Sequence, residues 1–213
     1  MTAETTPDRR EARRLKHQDL SRNQLLDAAE ELFGRKGFYE TTLQEIADLA
    51  GFSVGSVYSF FDSKDDLFLQ IFQRRGGDYM PRISGVLRGP GTPLDLLHDL
   101  VNFEINYFRE HFHFGRLWLR HSGSTLQSVE RLADELILGN YRESMRLQAE
   151  LFERGQRDAS FGPGEPAALA RLFSGLVSAF QSLDPKVMSD DPGAVAPLSD
   201  DEFHALVERA FVT

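Results

Sequence analysis

The chain has 213 residues, 41% hydrophobic and 27% charged, with a formal net charge of −9 and no cysteine. That is the composition of a globular chain of one large or two small domains; it excludes disulfides and thiolate metal sites and fits a reducing cytoplasm. No apolar run approaches the roughly 20 residues that span a bilayer, and MTAETTPDRREARRLK lacks the apolar segment of a signal peptide, so a cytoplasmic protein with no membrane partner is expected.

Charge is unevenly spread. Residues 1–75 carry 11 Lys/Arg against 13 Asp/Glu, a net of −2, whereas residues 76–213 carry 13 against 20, a net of −7. Arg9, Arg10, Arg13, Arg14, Lys16 and Arg22 cluster before the first apolar stripe. Residues 1–18 therefore read as a flexible basic arm, helical at most toward its end. It either touches DNA phosphate or a minor groove, or serves as a solubilising tail.

A first helix is predicted from Ser21 to Lys36, with Leu25, Leu26, Ala29, Leu32 and Phe33 as its core stripe and Gly37 as its stop. Phe38 and Tyr39 are expected to pack into the same small core. The stretch TTLQEIADLAGFSVGSVYSFFDSK, Thr41 to Lys64, reads as two short helices around a tight turn. Thr41 or Thr42 caps the first, with Glu45 three residues after Thr42 as in a capping box; Gly51 supplies a left-handed turn residue and Ser53 caps the second helix. Val54, Val57 and Phe61 face inward; Gly55, Ser56 and Ser59 face outward. Ser63 caps a further helix beginning at Lys64, with Leu67, Phe68, Ile71 and Phe72 as its stripe. Two such helices at a steep angle make a helix-turn-helix, whose second helix enters a DNA major groove. An outer face of glycine and serine brings backbone close to DNA, or else is simply a solvated surface.

This run resembles the DNA-binding motif of TetR-family bacterial transcriptional regulators. The matching residues are Thr41-Thr42, Ile46-Ala47, Ala50-Gly51, Ser53, Gly55, Tyr58, Phe61, Ser63-Lys64 and Leu67, with Ala28-Ala29, Leu32-Phe33 and Gly37-Phe38 upstream. The resemblance covers Leu25 to about Phe72. It implies that Thr42, Ser53, Tyr58 and Lys64 contact phosphate and that Gln44, Gly55, Ser56 and Ser59 approach bases. Phe60 stands where family members often carry a second tyrosine, which puts one phosphate contact in doubt. No Arg, Asn or Gln projects from the second helix toward a purine edge, so sequence reading is expected to lean on Gln44, thymine methyls and DNA shape.

Beyond Phe72, Gly76-Gly77 and Pro81 are expected to kink the helix or end it, leaving a separate short helix near Met80–Leu87. Gly76–Pro81 is read as a hinge, or else a simple surface break, where the resemblance implies that a DNA-binding domain at 19–75 joins an effector-binding and dimerisation domain at 76–213. Arg88 to Pro93 is loop. Helices follow at Pro93 to about Phe112, in a short segment before Gly123, at about Ser128 to Gln156, at Pro166–Leu183, and after the Ser199/Glu202 capping box. The fold expected is all-α: a three-helix helix-turn-helix domain plus a larger helical domain.

Phe103, Tyr107, Phe108, Phe112, Phe114, Trp118, Tyr141 and Met145 either line an apolar effector cavity or are ordinary core. Arg116, Arg120, His121, Asn102 and Asn106 are candidate polar anchors. His111, His113 and His121 lie near Glu104 and Glu110 without metal-ligand spacing, so no metal is expected. No phosphate loop, nucleophile elbow or acid pair suggests catalysis, and no cofactor is expected.

The resemblance implies a homodimer pairing through helices at 166–183 and 199–211, a pseudo-palindromic duplex operator and a small lipophilic or aromatic effector. The chain is thus read as a ligand-responsive regulator, most simply a repressor. The alternatives are an activator, or a helical small-molecule-binding protein whose motif does not bind a specific operator.

Overall fold

The computed structural model describes residues 9–122, 135–185, 187–188 and 198–213. These residues form nine helices: α1 (Arg9–Lys36), α2 (Leu43–Ala50), α3 (Val54–Tyr58), α4 (Lys64–Leu87), α5 (Pro93–Glu110), α6 (Phe112–Ser122), α7 (Glu135–Arg157), α8 (Pro166–Leu183) and α9 (Asp200–Phe211). The only extended pairing among them is one bridge between Phe161 and Val212. The chain divides into two compact units, the first ending at Ile71 and the second beginning at Phe72.

The first unit closes around Leu25, Leu26, Ala29, Phe33, Ile46, Val57, Leu67 and Ile71, all of them buried. Phe33, Phe38 and Phe68 form its aromatic centre, with Phe38 and Phe68 edge to face at 5.1 Å. Tyr39 does not join them. It is 87% exposed, because only Phe38 of the turn after α1 can face inward; the Tyr39 ring rests edge-on against Phe38.

Helix α1 starts at Arg9, earlier than the Ser21 expected. Residues 9–20 are rich in Arg, Glu, Leu, Lys and Gln, which lose little rotamer freedom in a helix. Glu11 sits in the first turn, where the helix dipole favours it. Part of the expected flexible arm is therefore a helical extension, exposed from Arg10 to Leu20. Residues 1–8 lie outside the described residues.

Helix α4 is continuous through Gly76, Gly77 and Pro81, so no separate helix forms at Met80–Leu87. Pro81 cannot donate the amide bond to the Gly77 carbonyl, yet the helix survives because burial of Ile83 and Leu87 holds its last turns. Its conformation leaves the proposed Gly76–Pro81 hinge helical.

The second unit has one large core in which Leu96, Leu100 and Val101 of α5, Leu151 and Phe152 of α7, Phe173 and Val177 of α8, and Phe203, Val207 and Phe211 of α9 meet. Helix α5 opens on the Thr92/Asp95 capping box, α9 on Ser199/Glu202, and α8 on a Glu165 cap. The start expected for α7, residues 128–134, lies outside the described residues. Leu172 of α8, an apolar residue, is 55% exposed. The buried face of α8 runs through Ala170, Phe173, Val177 and Phe180, which turns Leu172 to the opposite side.

Arg109 ties this unit together. Its Nε donates to Asp184 at 2.5 Å, and its two terminal nitrogens grip Asp200 at 2.7 Å each. Asp184 ends α8 and is buried; Asp200 begins α9. Replacing Arg109 with Met removes the cation beside a buried carboxylate. Urea denaturation followed by circular dichroism should show a loss of about 3 kcal/mol; an unchanged midpoint would show that the bridge contributes nothing.

Candidate nucleic-acid interface and effector cavity

The turn between α2 and α3 is built from backbone caps. The Thr42 hydroxyl accepts from the Glu45 amide at 3.2 Å, and Glu45 accepts from the Thr42 amide at 2.9 Å. Gly51 adopts φ +75°, ψ +29° and turns the chain, its amide donating back to Ala47 and Asp48. A side chain there would cost about 1 kcal/mol or more, since L residues resist the left-handed region. Ser53 caps α3 by accepting from the Ser56 amide at 3.1 Å. Val57 and Phe61 anchor α3 to the core. The sequence placed Phe61 inside the second helix; the structure ends that helix at Tyr58 and buries Phe61 just beyond it.

The face left outward carries Gly55, Tyr58 and Ser59, all exposed, beside half-buried Ser56. The serine hydroxyls are satisfied locally. Ser53 and Ser56 share a bond at 2.9 Å, and Ser59 donates to the Ser56 carbonyl at 2.6 Å. Gln44 is exposed on α2, its amide donating to Asp48 at 2.8 Å. Tyr58 is 58% exposed. Thr42, Gln44, Gly55, Tyr58 and Ser59 thus present an uncluttered surface that other donors and acceptors can approach. Leu49, exposed on the same unit, was not singled out by sequence, and Tyr39, which the sequence assigned to the core, is exposed. Tyr39 carried a visible signal, being a second aromatic in a turn that can bury only one.

Lys64 is placed differently from a simple phosphate ligand. Its ammonium donates to the Phe38 and Thr41 carbonyls, both at 2.9 Å, and lies 4.4 Å from the Phe38 ring centre. Two of its three hydrogens brace the chain leading into α2. Arg22 is likewise engaged, bonded to Gln70 and stacked over Phe61. Lys36 pairs with Glu45, and that bond, with the Thr42 bonds, lowers the Glu45 carboxyl to about 2.

The second unit contains a cavity of about 620 Å³. Phe108, Phe114, Trp118, Tyr141 and Met145 line it, as the sequence suggested, together with Phe72, Tyr79, Met80 and Ile137. Phe103, Tyr107 and Phe112 do not. Phe103 and Tyr107 sit one helical step from Glu104 and Phe108, and turn their rings to Tyr79 and the Arg82 guanidinium instead. The Tyr107 hydroxyl donates to the Arg75 carbonyl at 3.0 Å. Phe112 is at the surface beside His113 and Arg116. His121 falls on α6, but its side chain lies outside the described residues.

Of the polar anchors, Arg120 lines the cavity. Arg116 is buried and donates to the Val187 carbonyl. Asn102 pairs with His204, and Asn106 donates to the Asn102 carbonyl. Close approach of α4 and α7 shapes one wall. A Cβ at Gly76 would come within 2.5 Å of the Asn140 amide nitrogen.

The group that sequence reasoning missed is Glu104. It lies on the cavity wall, 5% exposed, and accepts from the Tyr79 hydroxyl at 2.5 Å. Its signal was an acid inside an apolar stripe, with Leu100 and Phe108 one turn either side and Val101 and Tyr107 three residues away. Burial pushes its carboxyl up to about 7, against the bond from Tyr79, which favours the charged form. Among the described residues no group of three or more His, Cys, Asp or Glu side chains is placed to hold a metal ion, and no helix is long and apolar enough to cross a membrane.

The first unit is therefore a helix-turn-helix domain, and the second a helical unit with a ligand-sized cavity. The family model described as "Bacterial regulatory proteins, tetR family" matches residues 25–71. Residues 25–71 thus match the DNA-binding domain of the TetR family of transcriptional regulators. The chain is 39% identical over 57 residues to the HTH-type transcriptional regulator YfiR of Bacillus subtilis, a match covering 27% of this chain and 28% of that protein. It is 25% identical over 152 residues to the HTH-type transcriptional repressor KstR2 of Mycolicibacterium smegmatis, covering 71% and 73% of the two chains. In fold it is similar to the ketosteroid transcriptional regulator KstR2 of Mycobacterium tuberculosis, with a TM-score of 0.72 and 19% identity over 90% of this chain and 95% of the other.

Two outcomes test this geometry. Lys64→Met should cost about 1–3 kcal/mol of stability through two lost carbonyl bonds; an unaltered urea midpoint would remove the brace. For Glu104 the folded value lies above the unfolded one, so its stabilising contribution is complete below about pH 4.5 and is lost as pH rises through about 7. The melting temperature of wild type relative to Glu104→Gln should therefore fall between pH 5 and 8; parallel profiles would contradict the raised value.

Proposed function

We propose that this chain is a repressor that binds a pseudo-palindromic duplex operator as a homodimer, in the cytoplasm, and leaves it when a small lipophilic or aromatic effector fills the cavity. The observation that carries the reading is the pairing in one chain of a capped helix-turn-helix with an apolar cavity large enough for a drug-sized molecule. The curated name of the Mycolicibacterium relative, a repressor, supports the sign of regulation.

On the DNA, Thr42, Ser53 and Tyr58 contact phosphate, and Gln44, Gly55, Ser56 and Ser59 face bases. Lys64 holds the α2 start in place and keeps one hydrogen for phosphate. The helical extension of α1 adds exposed Arg13, Arg14 and Lys16 as phosphate contacts. Dimer formation uses α8 and α9. Its support is an exposed strip on α8 of Ala168, Leu172, Gly175 and Ala179, small or apolar, of which Gly175 and Ala179 also line the cavity. Effector binding shifts α4, whose Gly76, Tyr79 and Met80 form part of the cavity wall, and so favours a state in which two recognition helices no longer match the operator spacing.

Selection from a random duplex library, followed by fluorescence anisotropy, tests the reading. A palindromic site should be recovered, and its affinity should fall steeply between low and physiological salt. Tyr58→Phe and Ser53→Ala should each weaken binding about three- to tenfold, and Gln44→Ala should relax sequence preference. Recovery of no specific duplex would overturn the proposal. Tighter operator binding with effector present would make the protein a ligand-dependent binder in place of a derepressed one.

A further inference from the structure

The cavity has one polar feature that its apolar lining does not explain. Glu104 is an acid on a central helix, 5% exposed, at the wall of a 620 Å³ space. Tyr79 donates to its Oε1, and its backbone carbonyl accepts from Gln181 at 3.3 Å. Among the described residues no donor reaches its Oε2. Among the described residues no arginine lowers its raised carboxyl, although Arg75, Arg120 and Arg171 line the same cavity. Arg120 and Arg171 are exposed, at positions where solvent screens them. Leu, Met or Gln would fill the Glu104 position without a desolvation cost, since burying a carboxylate is expensive unless it is paired. A cation brought by a ligand removes that cost. Around this acid the lining is aromatic: Tyr79, Phe108, Phe114 and Trp118, whose ring faces attract cations.

Resting on the effector reading above, we infer that the effector is a lipophilic organic cation, an ammonium group on an apolar body, whose N–H donates to the open Oε2 of Glu104 while the aromatic wall packs its carbon skeleton. Above about pH 7, where the carboxyl is ionised, a neutral alcohol satisfies the same oxygen with a weaker bond and leaves the buried charge uncompensated. A carboxylate ligand meets like charge at this point of the wall. The inference therefore orders three head groups on one skeleton.

The experiment uses the full-length protein and three probes, decylamine, decanol and decanoic acid, each below its aggregation limit. Trp118 is the only tryptophan of the chain and lines the cavity, so its fluorescence reports occupancy. Decylammonium should bind about tenfold or more tightly than either partner, as expected of a charge-assisted bond over a neutral one. In Glu104→Gln the preference should vanish while decanol affinity stays within about twofold, which also shows that the variant is folded. Tyr79→Phe, which removes the competing donor, should keep the preference. Decanol or decanoate binding wild type as tightly as the ammonium would overturn the inference and leave the effector cavity standing. Preference surviving in Glu104→Gln would overturn it too. Binding of none of the three would overturn both the inference and the lipophilic effector reading, whereas operator binding can be scored separately.

Discussion

A helix of five residues holds almost no hydrogen bonds of its own, and α3 has only Val54–Tyr58. Its existence is therefore delegated to its surroundings. Ser53 satisfies an amide at its start, Gly51 sets its direction from a left-handed turn, and Val57 with Phe61 nails its inner face to the core. Because everything that holds α3 lies on the inside or at the ends, its outer face is free to be nearly bare. The same logic explains Lys64, whose ammonium ties the Phe38 and Thr41 carbonyls and so fixes where α2, and hence α3, begins. Short capped helices in this unit make a surface whose geometry is rigid although its side chains are small.

The second unit follows the opposite rule. Long helices with wide apolar faces could have closed completely, and around Phe152, Phe173 and Phe211 they do. Between α4, α5 and α7 they do not. Gly76 lets α4 approach Asn140, while Ser144, Gln148 and Glu104 bring polar atoms to a wall that close packing would make apolar. Ser174 donates to Gln148, and Gln148 to Ser144, so most of these groups are satisfied internally. Glu104 stands out by being only half satisfied.

Sequence was most informative where structure is local. The caps at Thr42, Ser53 and Ser199, the turn at Gly51 and the bounds of α8 at Pro166 and Leu183 follow from residue chemistry within a few positions. It was least informative where two helices must be placed against each other. Phe103 and Phe108 look equivalent in the apolar pattern of α5, but one step of helical rotation sends one to Arg82 and the other to the cavity. Glu104 was passed over because acids ordinarily mark solvated faces, and only its apolar neighbours at three and four residues argued otherwise. The Gly76-Gly77 and Pro81 run read as a break because local propensity says so; packing of the last turns of α4 overrode it. At Tyr39 the sequence assigned both aromatics of one turn to a core that has room for one.

The early start of α1 has a thermodynamic corollary. From Arg10 to Leu20 every residue is exposed, Leu15 and Leu20 by about half, so this segment gains little from burial and stays helical largely on intrinsic propensity and on nucleation from the packed turns after it. Such a segment sits close to its own melting point at ordinary temperatures. Docking against a polyanion neutralises its repelling arginines and shifts that local equilibrium toward helix. Association would then take in heat-labile ordering of the segment, making its enthalpy more negative and its affinity more temperature-dependent than a rigid surface of equal charge.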